Sequence, residues 1–396
     1  MEKCVGIVCE FNPFHKGHAY LIEQVRARFP QKGIVCVMSG NFVQRGSVAI
    51  QEKYSRAACA VSAGADLVLE LPPPFSCLSA EGFAQSAIHI ILQSGFCDTL
   101  SFGCETDDEA HLCLVADRLA SEKLQGSLND YLTEYRGIGF PAARETVYKE
   151  LFGEEPLLSL PNASLALEYL VALKKQGRTL SPFPILRKGA GFHCLHEKDG
   201  FASATALRLH LKDGKDISAL VPPFVLREMK KEREEGRFPV HDDAFTPILL
   251  YLLKVKSRKE LSEIYGLAPL CDRARRAASG AKTLDDLVIA MKTAHLTDSR
   301  IRRSLLALLL GTPRYVEKEK PAYTILLAAS ERGKALLGER KGDFPIFTKP
   351  AHALRSKKID VLRQASRAAL ADEIYVSAFP KKHDDGFFVK RMPRFL

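Results

Sequence analysis

The sequence has no tryptophan, no Cys-x-x-Cys pair, no apolar run near membrane-spanning length and neither usual glycine signature for nucleotide phosphates. Each absence excludes something. Without Trp, stacking on a nucleobase falls to Phe, Tyr, His or Arg. No stretch approaches the roughly 20 apolar residues of a membrane span, so no membrane association is expected. The start, Met-Glu-Lys-Cys-Val, leads into an apolar run shorter than a signal-peptide core, and the cytoplasm is the expected compartment. The ten cysteines sit mostly in apolar runs and are expected to be reduced, small hydrophobes. His193-Cys194-x-His196 invites a metal reading but lacks a second ligand pair at finger-like spacing, so a polar loop and no metal are expected. There is no G-x-x-x-x-G-K-[ST], and "GIGF" at 137–140 is too short for a dinucleotide fingerprint.

What is present is ordinary in amount and uneven in placement. At 396 residues the chain exceeds one ordinary core, and 46% hydrophobic with 26% charged residues is typical of a globular protein. The net charge is +10. Residues 1–215 carry 22 Lys and Arg against 24 Asp and Glu, whereas residues 216–396 carry 35 against 23. A charge-neutral catalytic half and a basic half facing a polyanion are therefore expected.

The first half alternates short apolar runs with helical patterns. Strands are expected at 4–11, 33–38, 66–71, 99–103 and 183–187, each bounded by Gly, Pro or polar residues. Between the first two, Leu21, Ile22, Val25 and Phe29 share one helical face. This order predicts an α/β fold with a Rossmann-like, doubly wound parallel sheet. From about 216 strand patterns largely vanish, which predicts a mostly α-helical basic domain. Ligands of such sheets sit beyond the carboxyl ends of the strands.

The first strand runs into Asn12-Pro13-Phe14-His15-Lys16-Gly17-His18, where a helix begins. Two imidazoles three residues apart at a helix start can face one ligand, and the exposed N–H groups attract phosphate. They can donate to a phosphoryl group that gains charge in the transition state. Gly17 lets a nucleotide approach the backbone. After the fifth strand, Ser203 and Thr205 stand at a helix start with Arg208 one turn in, a second device for phosphate.

These motifs resemble those of the nucleotidylyltransferase superfamily and, in order along residues 5 to 211, of the bacterial tRNA(Met) cytidine acetate ligases. The shared stretches are "GIVCEFNPFHKGHAYLI", "VMSGNFVQRGSVAI", "KYSRAACAVSAGADLVLELP", "SAEGFAQSAI", "LSFGCETDD", "LPNASLALEYL", "LRKGAGFH" and "SATALRLHL". The basic half is less similar: "DDLVIAMKTAHLTDSRIRRSLLALLLG" resembles the family's region loosely and departs from it at Thr293–His295, lacking a basic residue.

The resemblance implies a nucleotidylyltransferase-type catalytic domain over 1–215 and a tRNA-binding helical domain over 216–396. The implied reaction joins acetate to ATP as acetyl-adenylate, with Mg²⁺ accompanying ATP, and then acetylates the N4 amine of the wobble cytidine of elongator tRNA(Met). No protein nucleophile is needed. His15 and His18 would be catalytic. The ATP site would comprise Ile7, Val8, Cys9, Glu10, Phe11, Asn12, Pro13, Phe14, His15, Lys16, Gly17, His18, Ala19 and Tyr20, with Gly103, Asn162, Arg187, Ser203, Thr205 and Arg208. Asn41, Arg45, Lys53, Arg56, Arg300, Arg302 and Arg303 are candidate contacts to substrate or tRNA. The expected partners are tRNA(Met) and acetate, with no stable protein partner. A small-molecule adenylyltransferase and a non-catalytic RNA-binding protein on a nucleotide fold remain the alternatives.

Overall fold

The computed structural model of the chain describes residues 3–135, 138–188, 201–293 and 295–396; the His193, Cys194 and His196 cluster lies outside them. Ten strands form: β1 Cys4–Cys9, β2 Ile34–Ser39, β3 Phe42–Val43, β4 Ser47–Val48, β5 Leu67–Leu71, β6 Cys97–Cys104, β7 Ser181–Leu186, β8 Thr324–Ala329, β9 Ile346–Phe347 and β10 Arg394–Phe395. The runs of Val, Ile and Leu that fill β1, β2 and β5 suit strands covered on both faces.

The main sheet runs β10-β8-β5-β2-β1-β6-β7, with β9 beside β8, while β3 and β4 make a separate hairpin. From β5 to β7 all neighbours are parallel, and β8 joins β5 antiparallel. β1 is flanked by β2 on one side and β6 on the other, so the strand order reverses there. The crevice beyond its carboxyl end is the place for a ligand.

The expected boundary at 215/216 is not a boundary of this sheet. β8, β9 and β10 come from the second half, where no strand was expected, and β8 is buried along its whole length. The second half also supplies a bundle of helices at Thr246–Val255, Cys271–Ala277, Leu284–Met291 and Asp298–Leu309. Its Leu305, Leu306, Leu309 and Leu310 are buried, as their spacing predicts.

The helix Lys53–Ser62 corrects three expected surface contacts. Lys53 is buried, with its ammonium 2.8 Å from Glu70 and 2.6 Å from Asp372. Arg56 is fully buried and donates only to main-chain carbonyls, those of Gln51, Glu10, Ser39 and Gly40. Asn41 is buried too; its amide donates to Asp372 at 2.9 Å and its carbonyl accepts the Lys53 N–H. None of the three is placed to meet RNA or a nucleotide. Burial pushes Asp372 up to about 7, against the pull of Lys53 and with Glu70 adding to the rise.

A second buried cluster ties the chain's end to the same helix. Glu52 caps it by accepting the Tyr54 N–H at 2.7 Å, and Arg237 and Arg391 pair with the same carboxylate at 3.0 and 3.3 Å. Removing one member of a buried ion cluster leaves the others uncompensated. Lys53→Met should therefore lower stability by about 3–5 kcal/mol, read as a fall in the urea midpoint; an unchanged midpoint would show that the cluster does not hold the helix Ile359–Val376, which carries Asp372, in place.

Candidate nucleotide-binding active site

β1 ends at Cys9, and the chain reaches the helix Lys16–Arg28 through a turn that includes a cis Asn12–Pro13 bond and Phe11 at φ +50°. His15 is the N-cap of that helix. Its Nδ1 accepts the Gly17 N–H at 3.0 Å, and its own N–H donates to Nδ1 of His18 at 3.2 Å. The two rings stack with centroids 3.6 Å apart and planes 24° apart. Phe11 and Phe14 back His18 at 4.9 and 5.5 Å.

This reciprocal capping settles the tautomers. With each Nδ1 engaged as an acceptor, each neutral ring carries its proton on Nε2. Burial holds His15 down to about 3, and the positive charges of Arg187 and Arg208 add to the effect. His18 is lowered as well, by burial, by His15 and by Arg187. Both rings are neutral donors at neutral pH. Gly17 has a local reason beyond ligand approach: a Cβ there would lie 2.9 Å from Cε1 of His15, closer than side chains tolerate.

One side of the histidines opens on a pocket at the ends of β1, β6 and β7. Val8, Leu21, Phe102, Leu165, Tyr169 and Ile185 give it apolar walls, and Glu10, Gly103, Asn162 and Arg187 give it polar edges. Tyr20 lines it too, with Lys188 4.5 Å above its ring. Gly103 lies under Arg187, whose Cγ would be 3.4 Å from a Cβ at that position. Asn162 opens the helix Pro161–Lys175, and its Nδ2 donates to Glu105 at 2.7 Å. Glu105 also accepts the backbone N–H groups of Asn162 and Ala163, at 3.1 and 2.6 Å. That helix start is therefore taken by a carboxylate, a role the acidic "GCETDD" did not announce.

Within the expected nucleotide loop the roles divide. Val8, Cys9, Glu10, Phe11, Gly17, His18 and Tyr20 line the pocket. Ile7, Asn12 and Phe14 are buried. Asn12 stitches the turn to the hairpin, donating to Val48 O at 3.2 Å and accepting the Ile50 N–H at 2.9 Å.

A second basin, of about 450 Å³ and within the usual range of ligand sites, is lined by Arg45, Arg208, Lys212 and Arg302 together with Asp242, Asp243, Asp285 and Asp298. Ser203 caps the helix Ala204–Lys212, accepting the Ala206 N–H at 3.1 Å. Arg208 donates to Thr205 Oγ1 at 3.2 Å and to the Asn12 carbonyl at 2.7 Å, which docks this helix three residues before His15. Arg45 and Arg302 face the same basin. Gly46, at φ +77°, brings the hairpin against the helix Asp298–Leu309; a Cβ there would stand 2.3 Å from the Arg303 nitrogen. Arg302 pairs with Asp285 and lies 3.9 Å from Asp242, while Arg300 is exposed and Arg303 half-buried. Asp242, which sequence reasoning passed over, accepts the Val48 N–H at 2.7 Å.

A mostly parallel sheet with its crevice at β1, two neutral imidazoles at the following helix start and a pocket beside them fit a nucleotidyl-transferring site. The chain belongs to the HIGH nucleotidyl transferase family, whose model matches residues 2–386. It is 37% identical over 389 residues to the tRNA(Met) cytidine acetate ligase of Caldanaerobacter subterraneus subsp. tengcongensis, covering 95% of this chain and 96% of that one. To the tRNA(Met) cytidine acetate ligase of Thermoanaerobacter sp. X514 it is 34% identical over 387 residues, with 95% of each covered. Its fold matches Thermotoga maritima TmcAL bound with alpha-thio ATP at a TM-score of 0.90 and 27% identity, across 100% of both chains. The apo form of that protein matches at 0.92 and 28%, again over 100% of both.

The tautomer assignment has a direct readout. In ¹⁵N-resolved spectra at pH 6 both histidines should be neutral with the proton on Nε2, and neither should titrate near the ordinary value of 6.5. A midpoint near 6.5 for either ring would contradict the capping geometry.

Proposed function

We propose that this chain is an ATP-dependent ligase that activates acetate as acetyl-adenylate and acetylates the wobble cytidine of elongator tRNA(Met). The observation that carries the reading is the pair of neutral, mutually capped imidazoles at the helix start beside the pocket at the ends of β1, β6 and β7.

In this reading the adenosine lies in the pocket by Gly103 and Asn162, and the phosphate chain crosses His15 and His18. Ser203, Thr205 and Arg208 hold the charge at its far end, while Arg187 frames the nucleotide from the pocket. A carboxylate oxygen of acetate attacks the α-phosphorus in line, the bond to the β-phosphate breaks, and pyrophosphate leaves. Neutral donors suit this step because they stabilise growing negative charge without binding the product so tightly that it stays. Mg²⁺ enters with the phosphates as part of the substrate; among the described residues no group of three acidic, His or Cys side chains is arranged to hold an ion. The amine of the cytidine then displaces AMP from the acyl carbon.

Support for an RNA substrate comes from the basic second half and from the exposed Arg300 on the helix that also contributes Arg302 to the basin. Phosphate contacts of that kind position a nucleic acid and weaken steeply with salt. The domain from 216 onward acts as the tRNA-binding part, while its strands complete the catalytic sheet.

ATP–pyrophosphate exchange should require acetate, and His15→Ala and His18→Ala should each slow it by about 100-fold or more, the effect of losing one transition-state donor. Exchange driven by another carboxylate and absent with acetate would overturn the substrate assignment.

A further inference from the structure

The amine of cytidine must lose a proton to form an amide, and the two histidines are poorly placed to take it. Their only ring lone pairs already accept the N–H groups of Gly17 and His15. Two nearby carboxylates are engaged elsewhere: Glu105 caps the helix Pro161–Lys175 through three contacts, and Asp242 accepts the Val48 N–H and faces Arg302.

Glu10 is placed differently. It follows β1 directly, is half-buried, and lines the nucleoside pocket beside His18 and Gly103. Its Oε1 accepts the Gln44 N–H at 2.7 Å, in the hairpin whose Ser47 and Val48 wall the basin. The carboxylate thus lies in the pocket beside His18, tied at one oxygen to the hairpin that borders the basin. Its charge is felt by the guanidiniums of Arg45, Arg56 and Arg208.

We propose that Glu10 is a catalytic residue of acetyl transfer, the base that accepts the proton released by the cytidine amine; the proposal rests on the reading given above. N4 attacks the carbonyl carbon of acetyl-adenylate and a C–N bond forms. One N4 proton passes to the Glu10 carboxylate. The C–O bond to the adenylate breaks, AMP leaves with the electron pair, and Glu10 later yields its proton to solvent. The amine needs this help because its lone pair is delocalised into the pyrimidine ring, and a positioned base contributes about 10²–10⁴-fold to such a step.

The test compares the two half-reactions in the full-length Glu10→Gln variant, which keeps the side chain's size and one acceptor for Gln44. Acetyl transfer is measured with tRNA(Met) and synthetic acetyl-adenylate, and activation by carboxylate-dependent ATP–pyrophosphate exchange. Transfer should fall about 100-fold or more, with exchange falling by less than a tenth as much, and Glu10→Asp should recover part of the transfer. Equal losses in both half-reactions would overturn the proposal, marking Glu10 as a structural or cation-holding group. Transfer at the wild-type rate would also overturn it. If wild-type exchange ignores acetate, the ligase reading itself fails, and the ratio is then taken with whichever carboxylate does drive exchange.

Discussion

The cleft rests on one buried guanidinium. Arg56 reaches the carbonyl of Ser39 at 3.2 Å and that of Gln51 at 2.9 Å, and it also binds the carbonyls of Glu10 and Gly40. Burying a cation costs several kcal/mol in desolvation, offset here by charge-assisted hydrogen bonds to four carbonyls. The geometry explains the choice of residue: only a planar fork with five donors can tie the ends of β1 and β2 together from one point. Both loops that border the cleft, the His-x-Gly-His turn and the β3–β4 hairpin, depart from those ends. Lys53, one turn earlier on the same helix, fixes the neighbouring loop through Glu70, Asp372 and Asn41.

On that floor the histidine pair does two jobs with one arrangement. As caps, the rings satisfy donors at the helix start that would otherwise lack partners. As donors, they stay neutral because burial disfavours the charged form, with Arg187 and Arg208 adding to the effect at His15 and His15 and Arg187 at His18. Glycine between them follows from the packing of His15 over its own helix start. In the proposed function, helix formation and phosphate recognition fall to the same three residues.

Much of this was legible in the sequence, for physical reasons. The five strands expected in the first half are short, apolar runs ended by turn residues, and each forms within a few residues of its expected limits, with the β3–β4 hairpin added between them. Three things were not legible. β8 reads "TILLAA", buried on both faces, so it carries no alternation to separate it from a helix. Its pairing with β5 spans some 260 residues of chain, which no local pattern encodes. Lys53 and Arg56 look like surface cations because their partners, Glu70, Asp372 and distant carbonyls, are brought together only by folding. The motif residues His15, His18, Gly103, Ser203 and Arg208 do converge, since each follows a strand end or a helix start that the parallel order gathers at one edge.

The asymmetry of charge acquires a structural sense from the same layout. The basic half contributes strands to the catalytic sheet and presents Arg302 to the basin beside the histidines, so an RNA bound there would reach the activated acyl group without a long tether. In the proposed function this site moves acetate onto a tRNA base. Mass spectrometry of nucleosides from tRNA(Met) incubated with the chain, ATP and isotopically labelled acetate tests it most directly. The account predicts labelled N4-acetylcytidine, formed only when ATP is present; unlabelled cytidine throughout, or label on RNA without ATP, would contradict it.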